Sequence, residues 1–320
     1  MRIDLTPPPW ATHLQSDLTD WQRGPMPVAD LTPFDIPDDA YFEYAYTDAE
    51  GVRHPDPANN NPRQNPWFDF ASNITGPAYQ QDKWVVPAGV RPRGRVLRMA
   101  IESKILHKTR RLIVYSPAGR ADDELPVILF QDGKAFFGWG RVPQVMDRLL
   151  EAGEIGPAHL VFVPPSKRTE EYAFNPEYRK FLREELLPAV EARVRCDGRR
   201  TAWGASLGGL LSAQLAWEMP DKFQNVVAQS GAFLFSPDMD RSNPFAGGES
   251  FLQVVRQGDP TRLSWHLDCG RLEWLLASNE RLAAALAEKG ANVSFVTRSA
   301  GHNWVNWRNG LAQGLRFALG

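Results

Sequence analysis

From Gly94 onward, short apolar runs alternate with stretches of helical period. The runs Met99–Leu106, Arg111–Tyr115, Pro126–Phe130, Leu160–Val163, Arg200–Trp203, Val226–Gln229, Leu263–Leu267 and Val293–Thr297 predict strands. Apolar spacing predicts helices over Val142–Ala152, Pro176–Val194, Leu207–Trp217, Leu275–Lys289 and Trp304–Leu319. Strands that alternate with helices imply a mostly parallel sheet covered on both faces. The first two strands follow each other closely and are expected to pair antiparallel. About eight strands with that start match an α/β-hydrolase fold.

Before residue 95 the texture differs. The chain is rich in Pro, Asp, Asn and Trp and shows no long helical period. Glu43–Tyr46 reads as a strand, Asp48–Gly51 as a turn and Val52 as the start of the return. Pro55–Pro62 is loop by composition. These signals predict a small β-rich module and tail over 1–95 and a hydrolase domain over 96–320. Trp10, Trp21, Trp67, Phe68 and Phe70 are too apolar for a solvated tail, so the segment is expected to pack rather than hang free.

Composition narrows the class. The 320 residues are 43% hydrophobic and 23% charged, as in an ordinary globular protein, and the net charge of −2 favours neither nucleic acid nor an anionic membrane as partner. Two cysteines make no disulfide framework and fit no zinc spacing, and each reads as a small buried hydrophobe; no cofactor is expected. MRIDLTPPPW lacks the apolar stretch of a signal peptide, which makes a cytoplasmic address the expectation.

The chemistry centres on Gly204-Ala205-Ser206-Leu207-Gly208, which reads G-x-S-x-G between a strand and a helix. That is the layout of a nucleophile elbow, in which a tight turn lifts the serine hydroxyl above the sheet edge. The motif alone is short, and small residues surround serines by chance. Its weight comes from the other strand ends. His302, in Gly301-His302-Asn303-Trp304 after the last strand, stands where a general base belongs in the order Ser, acid, His. The loop after Leu263–Leu267 offers two carboxylates, Glu273 and Asp268. Glu273 is favoured because it lies past the strand end with room to reach His302, and Asp268 remains the alternative. An oxyanion would take one donor from the Leu207 N–H and a second from Gly133 or Lys134, in the loop after Pro126–Phe130.

Taken together these segments resemble the enterochelin esterase group of the α/β-hydrolases. The resemblance runs from about Arg110 to Gly320. It rests on Leu129-Phe130-Gln131-Asp132-Gly133, on Arg168 with Glu170 and Glu171 before Phe174-Asn175-Pro176, and on Glu184-Glu185-Leu186-Leu187-Pro188. It continues through Gly204–Gly209, Gln229-Ser230-Gly231, Gly270-Arg271-Leu272-Glu273, and Gly301–Trp304 with Trp307-Arg308. The N-terminal part is similar to the immunoglobulin-like module ahead of such esterases, through Ser16–Trp21, Asp38–Tyr44 and Pro55-Asp56-Pro57. Asn303 departs from the aspartate that often follows the histidine in the group. The resemblance implies hydrolysis of a small-molecule ester through an acyl-enzyme without a metal, with Ser206 as nucleophile, His302 as base and Glu273 as its orienting acid. It further suggests Arg168, Lys134 and Arg308 as cations facing an anionic siderophore ester, and Trp139, Trp304 and Trp307 as an aromatic lining. A feruloyl- or acetyl-type carbohydrate esterase is the alternative, and a non-catalytic binding protein on the same fold is a further one.

Overall fold

The computed structural model describes residues 1–237 and 248–320. They form two compact units: Met1–Lys83 with Cys269–Leu276 and Thr297–Asn309, and Trp84–Asp268 with Ala277–Val296 and Gly310–Gly320.

The first unit is built on short strands: β1 (Arg2–Ile3), β2 (His13–Ser16), β3 (Met26–Pro27), β4 (Phe34–Asp35), β5 (Tyr41–Thr47), β6 (Arg53–His54) and β7 (Ser72–Thr75). β5 is the spine, with β2, β6 and β7 antiparallel to it. The turn expected over Asp48–Gly51 closes through the Gly51 N–H on the Asp48 carbonyl, and Gly51 takes φ 80°. β5 is buried along its whole length rather than alternating. One face sets Phe42, Tyr44 and Tyr46 among Ile3, Leu14 and Ile36. The other carries Tyr41, which packs with Ala300 and Val305.

The second unit carries the large sheet. Its strands are β8 (Arg95–Ser103), β9 (Lys108–Ser116), β10 (Leu125–Gln131), β11 (His159–Val163), β12 (Cys196–Ala205), β13 (Asn225–Gln229), β14 (Ser264–Gly270) and β15 (Asn292–Arg298). They lie in the order β15-β14-β13-β12-β10-β11-β9-β8. β8 and β9 pair antiparallel, whereas β10, β11, β12, β13 and β14 run parallel, which is the α/β-hydrolase arrangement. The helices are α1 (Gly133–Gly138), α2 (Val142–Glu151), α3 (Arg168–Tyr172), α4 (Pro176–Phe181), α5 (Leu187–Glu191), α6 (Leu207–Glu218), α7 (Ser250–Gln257), α8 (Leu276–Glu288) and α9 (Trp304–Leu319). In the core Phe130 stacks on Phe162 and meets Trp203 at a tilt, each at a ring-centroid distance of 5.0 Å.

Two expectations need correction. The single helix expected over Pro176–Val194 is α4 and α5 joined by a π-helical turn at Leu182–Leu186. Pro188 has no N–H to give the carbonyl four residues back, so the helix widens ahead of it. The loop expected over Gln131–Lys134 is one residue long: Gln131 ends β10, Asp132 alone makes the turn at φ 54°, and Gly133 starts α1. No helix among the described residues is long and apolar enough to cross a membrane.

Candidate active site

The register across β12, β13 and β14 aligns Ala205 with Gln229 and Gln229 with Asp268. β12 and β13 therefore end side by side, with Asp268 next in the row and β14 running on to Gly270. Ser206 leaves β12 at φ 57° and ψ −124°, a backbone region costly for any residue with a Cβ. The strain is over-determined. The Ser206 N–H donates to the Gln229 carbonyl (2.9 Å), and the Ser206 carbonyl accepts from Gly209 (2.9 Å) and Ala232 (3.0 Å). A Cβ at Gly204 would stand 2.2 Å from the Gly208 carbonyl oxygen, so glycine is obligatory at the entry to the turn. Leu207 opens α6, and the first N–H groups of a helix have no acceptor within it.

Beside this turn lies Asp132. Its left-handed backbone is held by the Tyr172 hydroxyl, which accepts the Asp132 N–H at 2.7 Å. Its carboxylate, 4% exposed, receives two hydrogen bonds from the Arg168 guanidinium, each 2.8 Å. The same guanidinium donates to the Ala205 carbonyl at 3.1 Å. Arg168 thus ties the turn before α1 to the turn before Ser206. Burial acts to lower the Arg168 pKa, but the charge and hydrogen bonds of Asp132, with a smaller contribution from Tyr172, together outweigh it and raise the pKa. Arg168 was expected to face a substrate, but its charge is engaged with Asp132. Gly133 and Lys134 are the first two residues of α1. A Cβ at Gly133 would stand 2.2 Å from the backbone of Phe162 and Val163, so this turn fits against β11 only with glycine.

Asp268, the alternative acid, is fully buried at the end of β14, where its Oδ2 accepts from Gln229 Nε2 at 2.9 Å. Gln229 Oε1 in turn accepts from Trp203 Nε1 at 3.1 Å.

In the other unit, Glu273 and His302 meet. Glu273 Oε2 lies 2.5 Å from His302 Nδ1, and Oε1 accepts the Gly270 N–H at 2.6 Å. An ionised carboxylate only accepts, so it calls for the proton on Nδ1 and leaves Nε2 as the basic nitrogen. The Glu273 side chain is fully buried, while that of His302 keeps 21% of its exposure. The two loops are laced together, with the Arg271 N–H on the Arg298 carbonyl (2.7 Å) and the Leu272 N–H on that of Ala300 (3.0 Å).

Aromatic rings wall the imidazole. Trp307 meets it edge-on at 5.1 Å, and Trp274 lies 5.9 Å away. Trp304 and Trp307 were expected to line a substrate pocket. Each is only 1% exposed, and both pack against Trp67, so neither has a free face to offer. Trp274 is covered by the Arg23 guanidinium, 3.2 Å from its ring centroid, and burial brings the Arg23 pKa down to about 10. Arg308 donates to Gln64 Oε1 at 2.9 Å, whereas Trp139 and Lys134 stand exposed. Sequence reasoning gave Asp132 only as part of a motif and passed over Tyr172, Arg23 and Trp274, because their roles arise from tertiary contact.

Comparisons with known proteins agree with this architecture. The chain matches 26% identically over 227 residues with the iron(III) enterobactin esterase of Escherichia coli (strain K12), covering 67% of this chain and 54% of that relative. The match thus spans about half of the relative's length. The crystal structure of the ferric enterobactin esterase from Salmonella typhimurium superposes with a TM-score of 0.77 at 21% identity, over 96% of this chain and 88% of that one. A ferulic acid esterase superposes with a TM-score of 0.61 at 24% identity, over 72% of this chain and 98% of that one. The family model described as "Putative esterase" matches residues 103–318, about two thirds of the chain, and the protein belongs to that esterase family.

Proposed function

We propose that the protein is a serine carboxylic-ester hydrolase in which Ser206 is the nucleophile, His302 the base and Glu273 the acid that orients it. The observation that carries the proposal is the backbone of Ser206: a strained turn at a strand end, secured on all sides, around a hydroxyl-bearing residue.

In this mechanism His302 Nε2 takes the Ser206 hydroxyl proton as Oγ bonds to the ester carbon. The carbonyl electron pair moves onto oxygen, where the N–H groups of Leu207 and of Gly133 or Lys134 receive the charge. Collapse of the tetrahedral species expels the alcohol, which leaves with the proton from His302. Water then repeats the sequence on the acyl-serine, returning Ser206 and releasing the acid. Glu273 holds the Nδ1–H tautomer throughout and stabilises the transient imidazolium. Arg168 acts by holding Asp132 and Ala205, not by binding substrate.

For the substrate we favour a catecholate siderophore ester of the enterobactin type, because the enterobactin esterases are relatives in sequence as well as in fold. The test is a panel of p-nitrophenyl acetate, methyl ferulate and enterobactin with and without iron, run on the wild type and on Ser206→Ala. The expected result is hydrolysis of enterobactin above the other esters, with loss of at least about a thousandfold in Ser206→Ala. Preference for methyl ferulate would move the substrate to the feruloyl class. A Ser206→Ala variant within a few-fold of wild type would refute the mechanism.

A further inference from the structure

The loop that carries His302 rests on a buried carboxyl group from the N-terminal segment. The Tyr41 N–H donates to the Ser299 carbonyl at 2.9 Å, and Tyr41 bridges Ala300 in parallel fashion. Asp17 follows β2 and is 3% exposed. Its Oδ1 accepts from Trp21 Nε1 at 3.0 Å, and its Oδ2 accepts the backbone N–H of Glu43 at 2.8 Å. A Cβ at Gly301 would stand 2.0 Å from Asp17 Cγ and 2.0 Å from Oδ1. The Asp17 carboxyl therefore occupies the volume that a side chain at 301 would need, one residue before His302.

Nearby, Glu43 Oε1 accepts from the Tyr41 hydroxyl at 3.1 Å and Oε2 from Asn65 Nδ2 at 2.9 Å. Burying a carboxyl group is costly even when it is hydrogen-bonded, and an apolar residue could fill the same space more cheaply. Packing alone does not account for an acid against Gly301. Fixed geometry does, because two directional donors from separate segments hold the Asp17 carboxyl in one place.

We propose that Asp17 is a positioning residue for His302: its carboxyl, pinned by Trp21 and the Glu43 backbone, is the seat against which Gly301 rests. The proposal builds on the assignment of His302 as the base. Any shift of Gly301 moves both partners of the Glu273–His302 pair, because the Ala300 carbonyl holds the Leu272 N–H and lies 2.1 Å from where a Cβ at Gly270 would stand. Glu273 and His302 are thus set by a segment more than 250 residues earlier in the chain.

The test compares Asp17→Ala, Gly301→Ala, the double variant and His302→Ala, on the full chain with p-nitrophenyl acetate as probe. Circular dichroism checks the fold of each. Asp17→Ala is expected to lower kcat about tenfold or more while KM stays within about threefold, since a misplaced base costs rate, not binding. Gly301→Ala, which forces a methyl group onto the carboxyl, should lower kcat further. The double variant should recover at least about tenfold over Gly301→Ala, because the methyl takes the space the carboxyl has left. Asp17→Asn keeps the bulk and must not rescue Gly301→Ala. It also serves as the second probe if Asp17→Ala is poorly folded, because one amide cannot accept from both donors, and kcat should again fall. Wild-type kcat in both Asp17→Ala and Asp17→Asn, with His302→Ala inactive, would overturn the seat while leaving the base intact. So would a Gly301→Ala defect that Asp17→Ala does not relieve. An active His302→Ala would overturn the base assignment, and the seat with it.

Discussion

Removing the Arg168 guanidinium should both destabilise the protein and slow the reaction, and the structure sets the scale of each effect. Asp132 is 4% exposed and receives two 2.8 Å hydrogen bonds from Arg168. Arg168→Ala would leave that carboxylate buried without its countercharge. Breaking a buried pair from one side costs about 3–5 kcal/mol. Because the Arg168 side chain is 31% exposed, water can reach into the gap, and about 2–3 kcal/mol is the better expectation. For a chain of this size that corresponds to a fall in Tm of roughly 3–5 °C. The variant also loses the bond to the Ala205 carbonyl, which helps to fix the entry to the Ser206 turn. A displacement of a fraction of an ångström there should lower kcat by about tenfold to a hundredfold with little change in KM. Urea melts and steady-state kinetics would be measured for Arg168→Ala, Asp132→Asn and the double variant. Asparagine suits the left-handed backbone of residue 132, so the substitution tests charge rather than strain. The double-mutant cycle should return a coupling of about 1.5–3 kcal/mol. A coupling below about 0.5 kcal/mol, or wild-type kcat in a folded Arg168→Ala, would refute the clamp.

Two further variants probe the acids. Glu273→Gln should lower kcat/KM far more than Asp268→Asn, because Glu273 meets His302 Nδ1 while Asp268 accepts from Gln229; the reverse order in folded variants would make Asp268 the acid. Glu43 is pushed up to about 7 from an ordinary 4.5, chiefly by burial, which outweighs its bonds from Asn65 and Tyr41 and the charge of Arg308. Between those values the folded protein holds a proton that the unfolded chain releases, so stability is fully present below about 4.5 and falls as pH rises through about 7. The loss is about 3 kcal/mol, and Asp17, raised by burial and by the charges of Glu43 and Glu273, adds to it with the same sign. Urea melts at pH 5 and pH 8 should show a smaller pH-dependent loss in Glu43→Gln than in wild type, and equal losses would contradict this reading.

The fold was legible wherever the local pattern and the tertiary setting agree. The buried strands β10 to β14 read as short apolar runs because the central strands of a sheet covered on both faces carry apolar residues on both sides. α1 was not legible. Asp132-Gly133 has the composition of a turn, and a single left-handed residue braced by Tyr172 lets the helix start one residue later. Ser206 stood out because its constraint is local: Gly204 and Gly208 must approach each other, and that fixes their identity. Glu273 and His302 were singled out because each follows the end of a strand, where catalytic loops of such sheets lie, and the two side chains meet. Trp304 and Trp307 misled, because a tryptophan near a helix start reads the same whether its ring faces solvent or the core. Asp17 left no trace in the pattern. Its role depends on Gly301, nearly the whole chain away.

The nucleophilic role of Ser206 is tested most directly by reaction with a fluorophosphonate probe, followed by mass spectrometry of the peptides. The phosphorus bonds to an activated serine oxygen, fluoride leaves, and the serine proton passes to the base. A nucleophilic Ser206 should give a single adduct on its peptide, formed at a rate that falls in His302→Ala and Glu273→Gln and absent in Ser206→Ala. A full adduct on another residue, or no adduct from folded wild-type protein that hydrolyses esters, would contradict it.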